Sequence, residues 1–130
     1  MSSAFLEHVN VTVKDPEATA KKLVDWFDWR IRWNGAAKNG GVSYHVGNDT
    51  SYIALYSSLN GTGHAQAADS YHTAGGLNHV AVVVDDLDAA EQRILNDGYR
   101  THSHGDYEPG RRFYFHEDNG IEIEVVSYGN

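Results

Sequence analysis

The sequence predicts an α+β fold of two βαβββ modules whose strands form a curved mixed sheet. Three observations carry this. The chain repeats itself in register at an offset of 71 residues, too long a period for a solenoid but right for two copies of one supersecondary unit. Each copy opens on a β-branched, alternating run. Each run then leads through an aspartate to a helix-spaced apolar stripe and three more extended segments.

In the repeat, Phe5-Leu6-Glu7-His8-Val9-Asn10-Val11-Thr12-Val13-Lys14-Asp15 lies over Gly76-Leu77-Asn78-His79-Val80-Ala81-Val82-Val83-Val84-Asp85-Asp86. The first strand of each copy is expected over 5–13 and 76–84. Asp15 followed by Pro16 marks the first helix, because an N-cap acceptor and a proline at the first helical position both favour its start. Ala20, Leu23, Val24 and Phe27 form its apolar face. In the second copy Asp86 caps, Ala90, Ile94 and Leu95 form the stripe, and Gly98 takes the left-handed position at the end. Further strands are expected at about 29–34, 41–47 and 51–58, then at about 99–104, 111–117 and 121–128.

The 130 residues are thus expected to form one domain: module one at about 4–58, a small polar linker at 59–75, and module two at about 76–130. The hydrophobic fraction of 41% supports a packed core. A net charge of −8 argues against nucleic acid and anionic membrane surfaces as partners. No apolar run approaches the ~18 residues of a membrane span. Met1 to Val13 has no signal-peptide pattern. With no cysteine in the chain, a cytoplasmic location is expected, and any metal is restricted to nitrogen and oxygen ligands.

Alternation sorts the eight histidines. Val9, Val11 and Val13 face the helix, which turns His8 away with Leu6, Asn10 and Thr12. His79 likewise faces away from Val80, Val82 and Val84. Ile121, Ile123 and Val125 face the helix, so Glu122, Glu124 and Val126 join the histidine side. Two histidines and a carboxylate on one face are the material of a metal site or catalytic cleft.

Paired βαβββ modules opening on Leu-x-His-Val-x-Val-x-Val-x-Asp resemble the vicinal oxygen chelate superfamily: glyoxalase I, fosfomycin-resistance enzymes, extradiol dioxygenases and bleomycin-binding resistance proteins. The segment Phe113-Tyr114-Phe115-His116-Glu117-Asp118-Asn119-Gly120-Ile121-Glu122-Ile123-Glu124 resembles its closing hairpin, with a metal-binding glutamate four residues after the glycine. The resemblance implies His8, His79 and Glu124 as metal ligands. Ala54 occupies the fourth position, where glyoxalase I enzymes carry glutamate. The resulting two-histidine, one-carboxylate set is closer to dioxygenases and fosfomycin enzymes, and suits Fe(II), Mn(II) or Zn(II).

The residues alone allow two hairpin loops. A three-residue Asp118-Asn119-Gly120 loop sets Tyr114 opposite Glu124 and His116 opposite Glu122; a two-residue Asn119-Gly120 turn sets Phe115 opposite Glu124. The family pattern favours the first, which makes Tyr114 the candidate catalytic hydrogen-bond donor or acid–base group. The acid–base histidine of the dioxygenases is not evident, Thr50 and Ser51 standing in its region. For a phosphonate pocket Arg111 and Arg112 are the best-placed arginines, though arginines there are usually solvated. His102 and His104 share a strand face without an evident third ligand, His64 and His72 lie in the linker, and His45 and His116 have no assigned role. Trp26, Trp29 and Trp33 read as core and interface.

The expected function is that of a divalent-metal-dependent enzyme, dioxygenase-like or glyoxalase-like, acting on a small oxygen-bearing substrate. The alternative is a bleomycin-resistance-like binding protein without metal catalysis. A glyoxalase-type isomerase is disfavoured by Ala54. The resemblance also implies a homodimer.

Overall fold

The computed structural model describes residues 3–58, 69–107 and 110–128. The chain divides into two compact units, residues 1–64 and 65–130. The first contains β1 (His8–Thr12), α1 (Pro16–Phe27), β2 (Arg30–Ala36), β3 (Val42–Gly47) and β4 (Tyr52–Ser57). The second contains β5 (Val80–Val83), α2 (Leu87–Asn96), β6 (Thr101–Tyr107), β7 (Gly110–His116) and β8 (Glu122–Ser127). The expected α+β architecture of two βαβββ modules is present. The first ten residues of the expected linker, and with them His64, lie outside the described residues.

Each unit holds one four-stranded mixed sheet, in the order β1-β4-β3-β2 and β5-β8-β7-β6. The opening strand pairs parallel with the closing one, and the other two ladders are antiparallel. The connection from β1 through α1 puts the helix on one face, so the opposite face is free to carry polar side chains.

Capping explains the helix starts. Asp15 accepts a hydrogen bond from the Ala18 amide at 3.1 Å, and Asp86 from that of Ala89 at 3.0 Å. α1 buries Thr19, Ala20, Leu23, Trp26 and Phe27, with Trp26 at 1% exposure. α2 buries Leu87, Ala90 and Ile94. Leu95, expected in that stripe, is 42% exposed, because Leu87 takes the place one turn before Ala90 and turns the buried face away from it. Gly98 has φ +92°, as its position after α2 predicts.

The opening strands are shorter than their hydrophobic pattern suggests. Phe5 and Leu6 precede β1 and are each 78% exposed. The parallel partner β4 begins at Tyr52, so only the Tyr52 amide reaches back, to the Glu7 carbonyl at 3.1 Å. β5 likewise begins after His79. Among the described residues no helix is long and apolar enough to cross a membrane.

Candidate metal centre

In the second unit Phe113, Phe115, Ile123 and Val125 are buried at 3% exposure or less. They occupy the alternate positions of β7 and β8 whose register pairs Phe113 with Val125 and Phe115 with Ile123. The remaining positions form the polar face, where Tyr114 is opposite Glu124 and His116 opposite Glu122. That is the register of the three-residue loop. The Glu117 amide bonds the Ile121 carbonyl at 3.0 Å, the Gly120 amide bonds the Glu117 carbonyl at 2.9 Å, and Gly120 has φ +83°. The Glu117 carboxylate braces the loop by accepting from the Asn119 amide at 2.7 Å and the Ile121 amide at 3.0 Å.

His79 and Glu124 meet on this face. His79 Nε2 lies 3.1 Å from Glu124 Oε1, while Arg112 Nη1 donates to Glu124 Oε2 at 2.8 Å. The carboxylate is 9% exposed and the Arg112 side chain 13%, so the cation offsets the cost of burying Glu124. An N···O separation near 3 Å suits two ligands of one small divalent ion, whose bonds are about 2.0–2.2 Å long. Tyr114 lies edge-on to His79, with ring centroids 5.5 Å apart. Burial pushes its phenol up, the negative charge of Glu124 adds to the shift, and Arg112 opposes it. Tyr114 therefore keeps its proton at neutral pH and presents a hydrogen-bond donor.

On the first unit, His8 stands on the polar face in register with Tyr52, and Ala54 is flanked by Asn10 and His45. His8 Nδ1 lies 2.9 Å from Glu7 Oε1, which also accepts from the Tyr52 hydroxyl at 3.2 Å. The Tyr52 ring stacks with His8 at 4.8 Å and His45 at 4.5 Å, and the Trp33 ring lies 4.9 Å from that of His45. Arg32 sits 4.5 Å over the Tyr52 ring. Burial pushes the His45 imidazole down, with the His8 and Arg32 charges acting in the same direction. Ala54 is 1% exposed and offers no ligand.

Three expectations are corrected. His102 and His104 do not share a face. A bulge between His102 and Gly105, with Ser103 at φ +55°, shifts the register. His104 Nε2 consequently meets Glu91 at 2.6 Å, whereas His102 joins the face of Glu122. His102 also has company there: one nitrogen each of His102 and His116 and an oxygen of Glu122 all lie within 4.8 Å of one another. Nor is Arg112 a solvated arginine, since β7 alternation aims it at Glu124. Arg111 pairs instead with Asp88 at 3.0 Å.

Tyr71, from the expected linker, had no signal in the sequence. Its hydroxyl donates to Glu122 Oε1 and lies 3.4 Å from His79 Nδ1. The hydrogen bond to Glu122, followed by burial, raises the phenol from 10.0 to about 12. A folded value above the unfolded one means a contribution that is complete below pH 10 and lost as pH rises toward 12. Ultraviolet titration is expected to show one tyrosine ionising near pH 12. Glu122→Gln brings it down toward the ordinary range, and an unchanged titration would contradict the hydrogen bond.

Two mixed βαβββ sheets, each with histidine on its polar face and the second also with glutamate there, define the glyoxalase-like class of paired-module proteins. The chain belongs to the Glyoxalase/Bleomycin resistance protein/Dioxygenase superfamily, whose family model matches residues 7–115. Among solved structures it resembles a glyoxylase/bleomycin resistance protein/dioxygenase domain from Frankia sp. EAN1pec, at 21% identity, covering 98% of this chain and 100% of that one, with a TM-score of 0.79. The fosfomycin resistance protein FosX of Listeria monocytogenes, complexed with Mn(II) and sulfate, matches at 19% identity, covering 98% and 95%, with a TM-score of 0.70. A glyoxalase I mutant from Zea mays matches at 14% identity over 95% of this chain and 44% of that one, with a TM-score of 0.76. At these identities the likeness establishes the fold. No curated protein matches the chain.

Proposed function

We propose that the protein is a divalent-metal-dependent enzyme acting on a small substrate that presents two adjacent oxygens. His79 and Glu124 would hold the ion, Fe(II), Mn(II) or Zn(II). The carrying observation is the facing pair His79 Nε2 and Glu124 Oε1 at 3.1 Å, with the other carboxylate oxygen anchored by Arg112. The FosX structure with Mn(II) supports the metal class.

When bound, the ion supplies a Lewis acid that stabilises negative charge developing on the substrate oxygens. Arg112 fixes the orientation of Glu124 by donating to its Oε2 at 2.8 Å. Tyr114, protonated and beside His79, donates a hydrogen bond to the substrate or delivers a proton to it.

Metal analysis of protein purified under anaerobic, metal-replete conditions is expected to find bound ion in the wild type and a severe loss in His79→Ala. Absence of metal from the wild type would sink this reading. A second reading is favoured by the row His45, Tyr52 and His8, a stacked surface flanked by the tilted Trp33 ring and suited to a planar ligand. It makes the protein a bleomycin-resistance-like binder without metal catalysis. Tight binding of aromatic cations that chelators leave unaffected would select it.

We further propose a homodimer in the cytoplasm. Exposed Phe5, Leu6, Leu77 and Val83, the least exposed of them at 47%, support coverage by a second copy. The absence of cysteine supports a reducing compartment. Light scattering is expected to give twice the 14.4 kDa chain mass, and a monomeric mass refutes the dimer.

A further inference from the structure

The geometry points to a second divalent-cation site in the same unit, formed by His102, His116 and Glu122 and distinct from the His79–Glu124 pair. His102 Nε2 lies 3.9 Å from Glu122 Oε2, His116 Nε2 lies 3.7 Å from the same oxygen, and His102 Nε2 is 3.4 Å from His116 Nδ1. A tetrahedral ion with bonds of about 2.0–2.2 Å keeps its ligand atoms about 3.3–3.5 Å apart. Small side-chain rotations therefore bring all three onto one ion. The rings stack at 5.2 Å with 19° between their planes, so both edges reach the same side of Glu122.

The surrounding hydrogen bonds prepare the donors. Tyr71 occupies Glu122 Oε1 and leaves Oε2 toward the histidines. Ser103 Oγ lies 2.9 Å from His102 Nδ1. A hydroxyl accepting there holds the proton on Nδ1 and leaves the Nε2 lone pair for an ion, the usual arrangement behind a histidine ligand. Ser103 is placed for this by its positive φ, a conformation costly for a non-glycine residue. Glu122 is 12% exposed, while His102 and His116 are 39% and 53% exposed, so water can complete the coordination.

Separation from the first pair follows from the strand. Glu122 and Glu124 are next neighbours on one face of β8, about 6.6–6.8 Å apart along the chain. Glu124 is engaged by His79 and Arg112, Glu122 by Tyr71 and the two histidines. Two imidazoles and one carboxylate prefer Zn(II), Co(II), Ni(II) or Cu(II) over Mg(II) and Ca(II).

The test is calorimetric titration of chelator-treated full-length protein with Zn(II) and with Co(II). It compares the wild type, a His102→Gln/His116→Gln variant and a His79→Gln/Glu124→Gln variant. Both histidines of the first variant are partly exposed, so it is expected to fold, and circular dichroism checks this. The wild type is expected to bind at two sites. The His102/His116 variant keeps only the His79–Glu124 site, and the His79/Glu124 variant keeps only the new one. In the wild type, sub-stoichiometric Cu(II) broadens the imidazole NMR signals of His102 and His116.

Wild-type stoichiometry in the His102/His116 variant, with no selective broadening of those rings, overturns the second site and leaves the first intact. Loss of all binding in the His79/Glu124 variant, with its fold verified by circular dichroism because Glu124→Gln leaves Arg112 unmatched, also overturns it. Two sites surviving in that variant would refute the first reading instead. A wild type that binds neither ion refutes both.

Discussion

Arg112→Met is expected to lower the stability of the metal-free protein by about 3–5 kcal/mol, the usual cost of leaving one member of a buried ion pair unmatched. Glu124 is 9% exposed and its Oε2 accepts from Arg112 at 2.8 Å. Methionine fills comparable space without a charge, leaving His79 as the nearest group able to offset the carboxylate. Two additions separate this from a packing defect. Glu124→Gln in the same background removes the buried charge and is expected to restore most of the loss. A divalent ion bound between His79 and Glu124 supplies positive charge and stabilises the variant by about 2.7 kcal/mol at a hundredfold excess over Kd. Denaturant unfolding with and without Mn(II) or Zn(II) reads both effects. Wild-type stability in Arg112→Met would show that solvent, not the guanidinium, balances Glu124.

Trp26→Ala is expected to cost about 3–5 kcal/mol, typical for truncating a buried large aromatic residue. Trp26 is 1% exposed and packs edge-on against Phe27 at 6.3 Å. For a chain of this size the loss corresponds to roughly 10–20 °C in Tm by calorimetry. Trp26→Phe leaves a smaller void and is expected to cost less than half as much. A shift of only a few degrees for the alanine variant would show that Trp26 is not a principal core residue of its unit.

The features that lead to the site were legible to different degrees. The pairing of Tyr114 with Glu124 follows from period-2 alternation and a loop closed by left-handed Gly120, both local properties. The helix starts at Pro16 and Leu87 follow from Asp15 and Asp86 in the same way. Arg112 sits on the same alternation, one step beyond Tyr114, and attention to β7 alone would have placed it on the glutamate face. Ser103 gave no such sign. Serine at positive φ is uncommon, and the bulge that separates His102 from His104 depends on how β6 pairs with β7.

By itself the sequence determined the doubled βαβββ order, the helix caps and the faces of the strands, because each depends on residues a few positions apart. It also placed His8, His79 and Glu124 on the polar faces opposite the helices. Only the tertiary structure decided which charges meet there: Arg112 on Glu124, Tyr71 on Glu122 across 51 residues, and His102 with His116 on that same carboxylate. Alternation limits which residues share a face, but the partner of a buried carboxylate is chosen by strand register and by loops that return from far along the chain.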